Sequence, residues 1–85
     1  MNGRRYTVRY SELALQNLRE LPQREAAQII KKIARLEQGL HGNIKRLQGA
    51  DAGYRLRMGD YRVLFDVEGA IILVQKIGHR KDVYD

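Results

Sequence analysis

The chain has 85 residues with 16 basic and 10 acidic side chains, a formal net charge of +6 and no cysteine. This length predicts a single domain over residues 1–85 whose core is too small for a deep, enclosed active site, and the lack of cysteine excludes disulfides, thiolate metal sites and a cysteine nucleophile. The charge favours a polyanionic partner such as nucleic acid, and no apolar run has the length of a membrane span or of a secretory signal, so we expect a cytoplasmic protein.

The first forty residues predict a strand followed by a helical hairpin. Residues 6–10 alternate in the manner of a strand. Ser11 is a favoured N-cap residue, and the leucines after it predict a short helix that stops at Pro22. A second helix is predicted over residues 23–38, with Gly39 as its C-terminal cap. Its apolar residues recur at intervals of three and four and predict one buried stripe: Ala26, Ile29, Ile30, Ile33, Leu36 and Leu40.

The middle segment has the highest density of net positive charge in the chain. Residues 41–62 carry five basic and two acidic side chains, whereas residues 63–85 carry three basic and four acidic ones. Residues 40–53 contain three glycines and little periodicity, which predicts a loop with one turn of structure around Ile44 and Leu47. A basic run is often only a solvated face, so its meaning depends on how the following strands are paired.

The second half predicts three antiparallel strands. Residues 54–58, 61–67 and 70–77 alternate or are apolar throughout, and two-residue turns are predicted at 59–60 and 68–69. The complete pattern defines an α+β fold, in which the N-terminal strand and helical hairpin pack on one face of a small antiparallel sheet.

The predicted turns determine which side chains share a face of the sheet. Because cross-strand partners share a face, the first turn pairs Met58 with Tyr61 and Arg57 with Arg62. The apolar face, which the helices must cover, comprises Tyr54, Leu56, Met58, Tyr61, Val63 and Phe65. The opposite face is predicted to be exposed and comprises Arg55, Arg57, Arg62, Leu64, Asp66, Ile71, Leu73 and Gln75. The second turn places Arg62 opposite Gln75.

Several cations are thereby predicted to meet at one end of an open sheet face. Arg57 and Arg62 are direct neighbours, and Arg80 and Lys81 follow the last strand at the same end. Like charges placed opposite each other destabilise a sheet unless an anion neutralises them, and the guanidinium fork matches the oxygens of a phosphate. From the residues alone, an anion-binding surface and a plainly solvated basic face are both open.

The remaining residues restrict the chemistry of such a surface. Two histidines far apart, His41 and His79, do not form a metal site, and no nucleophile motif or phosphate-binding glycine loop is present, so no metal and no cofactor are expected. His79 is a candidate for proton transfer, and Tyr84 could stack on a base or anchor the tail. If the substrate is RNA, its own 2′-OH can be the nucleophile, and arginines would stabilise the transition state without serving as the base.

Two stretches resemble the RelE/ParE toxin superfamily of toxin–antitoxin systems: YRLRMGDYRV at residues 54–63 and IGHRKDVY at residues 77–84. The KRLQG segment at residues 45–49, the N-terminal strand and the hairpin are similar too, so the resemblance covers nearly the whole chain. It implies a RelE-like, microbial-ribonuclease-like fold. For the RelE branch it implies cleavage of messenger RNA in the ribosomal A site by 2′-OH attack, and a RelB-like antitoxin that forms a hetero-oligomer with the toxin.

The resemblance also implies which residues form the site. Matched by position, the catalytic residues are Arg55, Arg57, Arg62, Arg80 and Tyr84, with His79 as a candidate for proton transfer and Lys45, Arg46 and Lys81 as candidate RNA contacts. The resemblance places Arg55 and Arg57 where the best-known RelE proteins carry lysine, which keeps the charge and leaves Tyr84, His79 or a water as the general base. Two alternatives are a ParE-like inhibitor that binds DNA gyrase and a basic RNA-binding relative without catalysis.

Overall fold

Two helices cover one face of a five-stranded sheet in the computed structural model, which describes residues 5–48 and 52–83. The elements in chain order are β1 (Thr7–Tyr10), α1 (Glu12–Glu20), α2 (Gln23–Ala34), a 3-10 turn (Arg35–Gln38), β2 (Ile44–Arg46), β3 (Tyr54–Met58), β4 (Tyr61–Glu68) and β5 (Ile71–His79). The strand order is β1-β5-β4-β3-β2. The predicted α+β class is confirmed, but the sheet is mixed, because β1 runs parallel to β5 while the other pairs are antiparallel.

The helical hairpin begins and ends at the predicted residues. The Ser11 side-chain oxygen accepts a hydrogen bond from the Ala14 N–H at 3.0 Å, which satisfies one of the free donors at the start of α1. The second helical run extends to Gln38 as predicted, although its last turn tightens into a 3-10 turn. Gly39 ends it with φ +146°, a backbone conformation that favours glycine. Within the residues that the structure describes, no helix combines the length and apolar composition needed to cross a membrane.

Helix α1 protects the edge of β5 where β1 ends. The pairing of β1 with β5 stops at Val74, so the backbone groups that follow on this edge need other partners. The Ser11 hydroxyl donates to the Gln75 carbonyl at 2.9 Å, and Asn17 Oδ1 accepts from the Ile77 N–H at 3.0 Å. Two polar side chains of α1 therefore replace a missing strand and hold the C-terminal half of β5 in place.

The core lies between the helices and the apolar face of the sheet. Its buried members are Ala14, Leu18, Ile29, Ile33, Leu36, Leu56, Val63, Phe65, Ile72, Val74 and Ile77. The predicted helix-facing set is confirmed, since Leu56, Val63 and Phe65 are buried and the other three pack against them. The prediction that Ile30 belongs to the buried stripe of α2 is wrong. Its side chain is 45% exposed, because it lies about 100° around the helix from the buried Ile29.

An edge strand replaces part of the predicted loop. Residues Ile44–Arg46 form β2, which pairs with β3. A strand of three residues is too short to show a period of two, and its glycine-rich surroundings favour a loop. The backbone at this edge is also joined to β3 by the Arg57 N–H, which donates to the Asn43 carbonyl at 2.9 Å.

The predicted pairing of Arg62 with Gln75 is wrong, because the second turn and a bulge shift the register. Gly69 has φ +61° and takes the first position of a turn at residues 69–70, so β5 begins one residue later than predicted. A further shift between Leu64 and Phe65 leaves one extra residue in β5. Arg62 consequently lies opposite Gly78, and β5 continues to His79.

We expect Ser11→Ala to lower the free energy of unfolding by about 1–2 kcal/mol, because it removes both the N-cap bond and the bond to the Gln75 carbonyl. Urea denaturation followed by circular dichroism measures this change. Gln16→Ala, at an exposed position of the same helix, is the control and should change stability by less than about 0.5 kcal/mol. Equal effects of the two substitutions would contradict the assigned role of Ser11.

Candidate functional site

Cations from four strands line the sheet face that points away from the helices. Arg57 and Arg62 are cross-strand partners, as predicted, and Lys45 lies opposite Arg55. Lys76 lies opposite Leu64 on the same face. Because cross-strand partners share a face, these five cations form one surface, here called the basic face: Lys45, Arg55, Arg57, Arg62 and Lys76.

Arg62 is buried, whereas the sequence predicted it to be exposed. Only 7% of the residue is accessible, because its guanidinium folds back over the β3–β4 turn. The Nη1 group donates to the carbonyls of Gly59 at 2.7 Å and Tyr61 at 2.9 Å. Its partner on β5 is Gly78, which has no side chain to compete for this space. The described part of the chain offers no acceptor to the Nε or Nη2 donors, so these can bind an anion.

Arg57 differs from Arg62 although the two residues are opposite each other. Its side chain is exposed, and its backbone N–H is fixed by the Asn43 carbonyl. Repulsion between two guanidinium groups is reduced when one group turns toward carbonyl oxygens and the other turns toward water. The pair therefore presents one constrained and one solvated guanidinium at the same end of the sheet.

Arg80 reaches the same turn from the end of β5. Its backbone N–H donates to the Asp60 carbonyl at 2.7 Å, which fixes the chain beside the turn. Its Nε lies 3.9 Å from Asp60 Oδ1, and both side chains are more than half exposed, so this ion pair contributes little to stability. The turn at residues 59–60 is thus the point at which Arg62 and Arg80 meet, beside Arg57.

The middle of the same sheet face is covered, which corrects the prediction of an open face. Leu64 is 8% exposed because it packs with Ala52 and Val83, and Leu47 packs against this second cluster. Leu47 and Ala52 lie before β3, and Val83 lies after β5, in segments whose sequences show no periodic pattern. An apolar patch therefore interrupts the basic face at its middle and anchors the segment that carries Arg80.

Asp66 forms hydrogen bonds at the other side of this apolar patch. Its Oδ1 accepts a hydrogen bond from the Gly53 N–H at 2.6 Å, and its Oδ2 accepts one from the Gln75 side chain at 2.8 Å. Gln75 is the extra residue of the β5 bulge, so the carboxylate joins the bulge to the segment before β3. Asp66 consequently has a structural role on this face.

Two of the predicted RNA contacts lie apart from the basic face. Arg46 is paired with Tyr54, which places it on the helix side of the edge strand. Lys81 is exposed in the turn that follows β5, and Tyr84 lies outside the described residues. Lys45 remains on the basic face, so the two candidate RNA contacts of β2 point to opposite sides of the sheet.

His79 lies on the helix side of the sheet, at the same end as the arginines. It is paired with Tyr61, and the two rings meet edge to face with centroids 6.0 Å apart. Its Nδ1 accepts a hydrogen bond from the Lys81 N–H at 3.2 Å. In the neutral ring this bond leaves the proton on Nε2.

A cleft of about 420 Å³ opens beside His79, between α2 and the β3–β4 turn. Helix α2 lines it with Glu25, Gln28, Ile29 and Lys32, and the sheet lines it with Met58, Gly59, Asp60, Tyr61 and His79. The sequence did not reveal this cleft, because it combines residues of α2 with strand ends that are distant in the chain. The spacing of three and four residues among the polar residues of α2 is the signal that could have placed them together.

The arrangement can bind a phosphate and stabilise additional negative charge on it. Guanidinium groups are protonated at every physiological pH and present their donors in a fixed fork. Among residues 5–48 and 52–83, no three histidine or acidic side chains come together in a way that could hold a metal ion.

Sequence comparisons identify a family model and two relatives that resemble this chain. Residues 8–84 match the family described as ParE toxin of type II toxin-antitoxin system, parDE. The RelE1 protein of Methanocaldococcus jannaschii is 32% identical over 90 residues, which cover 94% of this chain and 96% of that protein. Toxin RelE3 of the same organism is 40% identical over 43 residues, and the match spans about half of each protein, 51% of this chain and 49% of RelE3.

Solved structures share the complete fold. The toxin–antitoxin complex RelBE2 from Mycobacterium tuberculosis superposes with a TM-score of 0.78 at 28% identity, over 89% of this chain and 99% of that chain. The RelB–RelE antitoxin–toxin complex from Methanococcus jannaschii has a TM-score of 0.73 at 26% identity, over 89% and 94% of the two chains.

The contrast between the two opposed arginines gives a test of their structural roles. Arg62→Ala should lower the free energy of unfolding by about 2 kcal/mol, because the turn carbonyls lose a buried charged donor. Arg57→Ala should change it by no more than about 0.5 kcal/mol, because this side chain is exposed. Urea denaturation of both variants measures the difference, and equal destabilisation would contradict the folded-back position of Arg62.

Proposed function

The chain belongs to the RelE/ParE superfamily of toxins from type II toxin–antitoxin systems, and we propose that it is a ribosome-dependent endoribonuclease of the RelE branch. The relatives and solved structures described above carry RelE names. The observation that carries the proposal is the juxtaposition of Arg57 with Arg62 across two strands, with Arg80 joined to the same turn. An inhibitor that acts only by binding a protein does not require adjacent phosphate-binding groups.

The proposed reaction is an attack by the RNA's own 2′-OH on the neighbouring phosphorus atom. The new bond joins the 2′ oxygen to phosphorus, the bond to the 5′ oxygen of the next nucleotide breaks, and the products are a 2′,3′-cyclic phosphate and a 5′-OH. The arginines contribute by stabilising the charge that grows on the phosphoryl oxygens. Arg62 is held in place before the substrate arrives, which lowers the cost of ordering it.

The proton of the 2′-OH needs an acceptor, and the leaving 5′ oxygen takes a proton from water as the P–O bond breaks. Arginine is unsuited to accept a proton. The position of His79 on the helix side of the sheet argues against it as the acceptor, so we assign this role to Tyr84 or to a water molecule. Because the described residues of the basic face supply mainly charge, we propose that the ribosome supplies the in-line geometry by holding the messenger RNA in the A site.

We also propose a RelB-like antitoxin as the cognate partner. The similar structures from Mycobacterium tuberculosis and Methanococcus jannaschii are toxin–antitoxin complexes. A chain with a net charge of +6 favours a partner segment that places acidic side chains against the basic face. Such a hetero-oligomer would hold the toxin inactive in the cytoplasm, where translating ribosomes are its target.

Expression of the chain in a bacterium that lacks the antitoxin tests the function. We expect growth arrest and cuts within translated regions of a defined transcript, mapped by primer extension and absent when translation is blocked. Arg57→Ala should reduce the cleavage rate by about 100-fold or more, because it removes transition-state charge stabilisation without loss of the fold. Arg19→Ala, an exposed cation on α1, is the matched control and should leave cleavage unchanged.

Other outcomes would contradict the proposal in distinguishable ways. Arrest with intact messenger RNA and a DNA-damage response would indicate a ParE-like gyrase inhibitor. RNA binding that weakens steeply with salt, without arrest, would indicate a basic RNA-binding relative.

A further inference from the structure

The cleft beside His79 has no part in the proposed cleavage, yet its walls carry a specific combination of side chains. Glu25, Gln28 and Lys32 are spaced by three and four residues, which places them in one row along α2. The row supplies a carboxylate, an amide and an ammonium group. An ordinary solvated helix face has no opposite wall, but this row faces the end of the sheet across a cleft of about 420 Å³.

The opposite wall is aromatic and fixed in orientation. The Tyr61 and His79 rings meet at 77° with centroids 6.0 Å apart, and the Lys81 N–H holds the imidazole through Nδ1. Ile29 is fully buried beneath the cleft and Met58 is half-buried beside it. A flat heteroaromatic ring fits such a site, because its faces contact apolar and aromatic atoms while its edge meets hydrogen-bonding groups.

The cleft and the basic face lie on the two sides of the same turn. Gly59 and Asp60 line the cleft, while Arg62 binds the Gly59 carbonyl from the basic face. Gly59 is exposed, and a Cβ placed on it would meet no atom within 4 Å. No side chain of the described residues therefore obstructs the surface of the turn at Gly59, between the cleft and the basic face. A strand whose phosphate is held by Arg57 and Arg62 can therefore pass over the turn and place a neighbouring base in the cleft.

We propose that this cleft is a nucleobase-binding subsite that favours bases with an exocyclic amino group, a proposal that rests on the proposed function for the identity of the bound RNA. The Glu25 carboxylate is an acceptor that can bind the amino group of adenine or cytosine. Uracil carries the acceptor O4 where cytosine carries its amino group, so the Glu25 carboxylate repels this position and only the N3–H of the edge can donate to it. The subsite selects the base beside the cleaved bond, while the arginines hold its phosphate.

Binding of mononucleotides to the full chain tests the subsite without requiring cleavage. In nitrogen-15 and methyl NMR titrations, adenosine 5′-monophosphate should shift the signals of His79, Lys32 and Met58 and bind several-fold more tightly than uridine 5′-monophosphate. Ribose 5-phosphate, which has the charge without the base, should leave the cleft signals unchanged. The proposal is overturned if ribose 5-phosphate shifts them equally, or if adenosine 5′-monophosphate shifts only signals of the basic face.

A matched pair of substitutions tests the role of the carboxylate. Glu25→Gln should weaken adenosine 5′-monophosphate binding about tenfold and abolish the preference over uridine 5′-monophosphate, because an amide binds the amino group less strongly than a carboxylate does. Glu12→Gln removes the same charge from the first turn of α1, away from the cleft, and should leave both affinities unchanged. Equal weakening by both substitutions would show a net-charge effect and overturn the proposal.

The failure of this inference is distinguishable from the failure of the proposed cleavage. Arg57→Ala should remove cleavage and weaken nucleotide binding through the lost phosphate contact, but saturating adenosine 5′-monophosphate should still shift the cleft signals. In mapped cuts, Glu25→Gln should change the base found beside the cut more than the total cleavage, and an unchanged pattern of cut sites would overturn the subsite while leaving the endoribonuclease intact. Nucleotide binding in the cleft of a chain that cuts no RNA would contradict only the proposed cleavage.

Discussion

The site depends on two arginines that stand opposite each other on β3 and β4. Such a pair is unfavourable in a sheet, and the fold accommodates it by treating the two members differently. Arg62 folds back onto the carbonyls of the β3–β4 turn, whereas Arg57 extends into water. Carbonyl dipoles offset part of the positive charge of Arg62 without neutralising it, so the pair keeps its attraction for an anion. The Asp60 carbonyl of the same turn accepts a hydrogen bond from the Arg80 N–H, so a third guanidinium lies at this end of the sheet.

The position of Arg62 depends in turn on how β5 is held. The bulge in β5 brings Gly78 opposite Arg62, and a larger residue there would compete for the space of the guanidinium. Helix α1 stabilises the irregular part of β5 through Ser11 and Asn17, which satisfy backbone groups that no strand covers. An N-terminal helix, a bulge and a glycine thus contribute to the geometry of the Arg57–Arg62 pair, the proposed phosphate site, without lining it.

The features of the fold that depend on local periodicity could be predicted from the sequence. Features formed where segments distant in the chain meet could not. The N-cap at Ser11, the hairpin, the apolar sheet face and the pairing of Arg57 with Arg62 follow from spacing and from a short turn containing Gly59. The bulge near Gln75 was not predictable, because it depends on contacts with α1 and Asp66. The burial of Leu64 requires Ala52 and Val83, which have no periodic relation to it. For the same reason the cleft was missed, since it combines one row of α2 with the far end of the sheet.

The second apolar cluster has a consequence for the rigidity of the site. Because Leu64 packs on one face of β4 and Phe65 on the other, with paired strands at both edges, β4 is enclosed on all four sides at its centre. Enclosed strands exchange their amide hydrogens most slowly and open last. Arg62 lies two residues before Leu64, so its backbone belongs to this enclosed strand. An anion bound at Arg62 would therefore order little backbone, and the main entropic cost would come from immobilising the exposed Arg57 side chain.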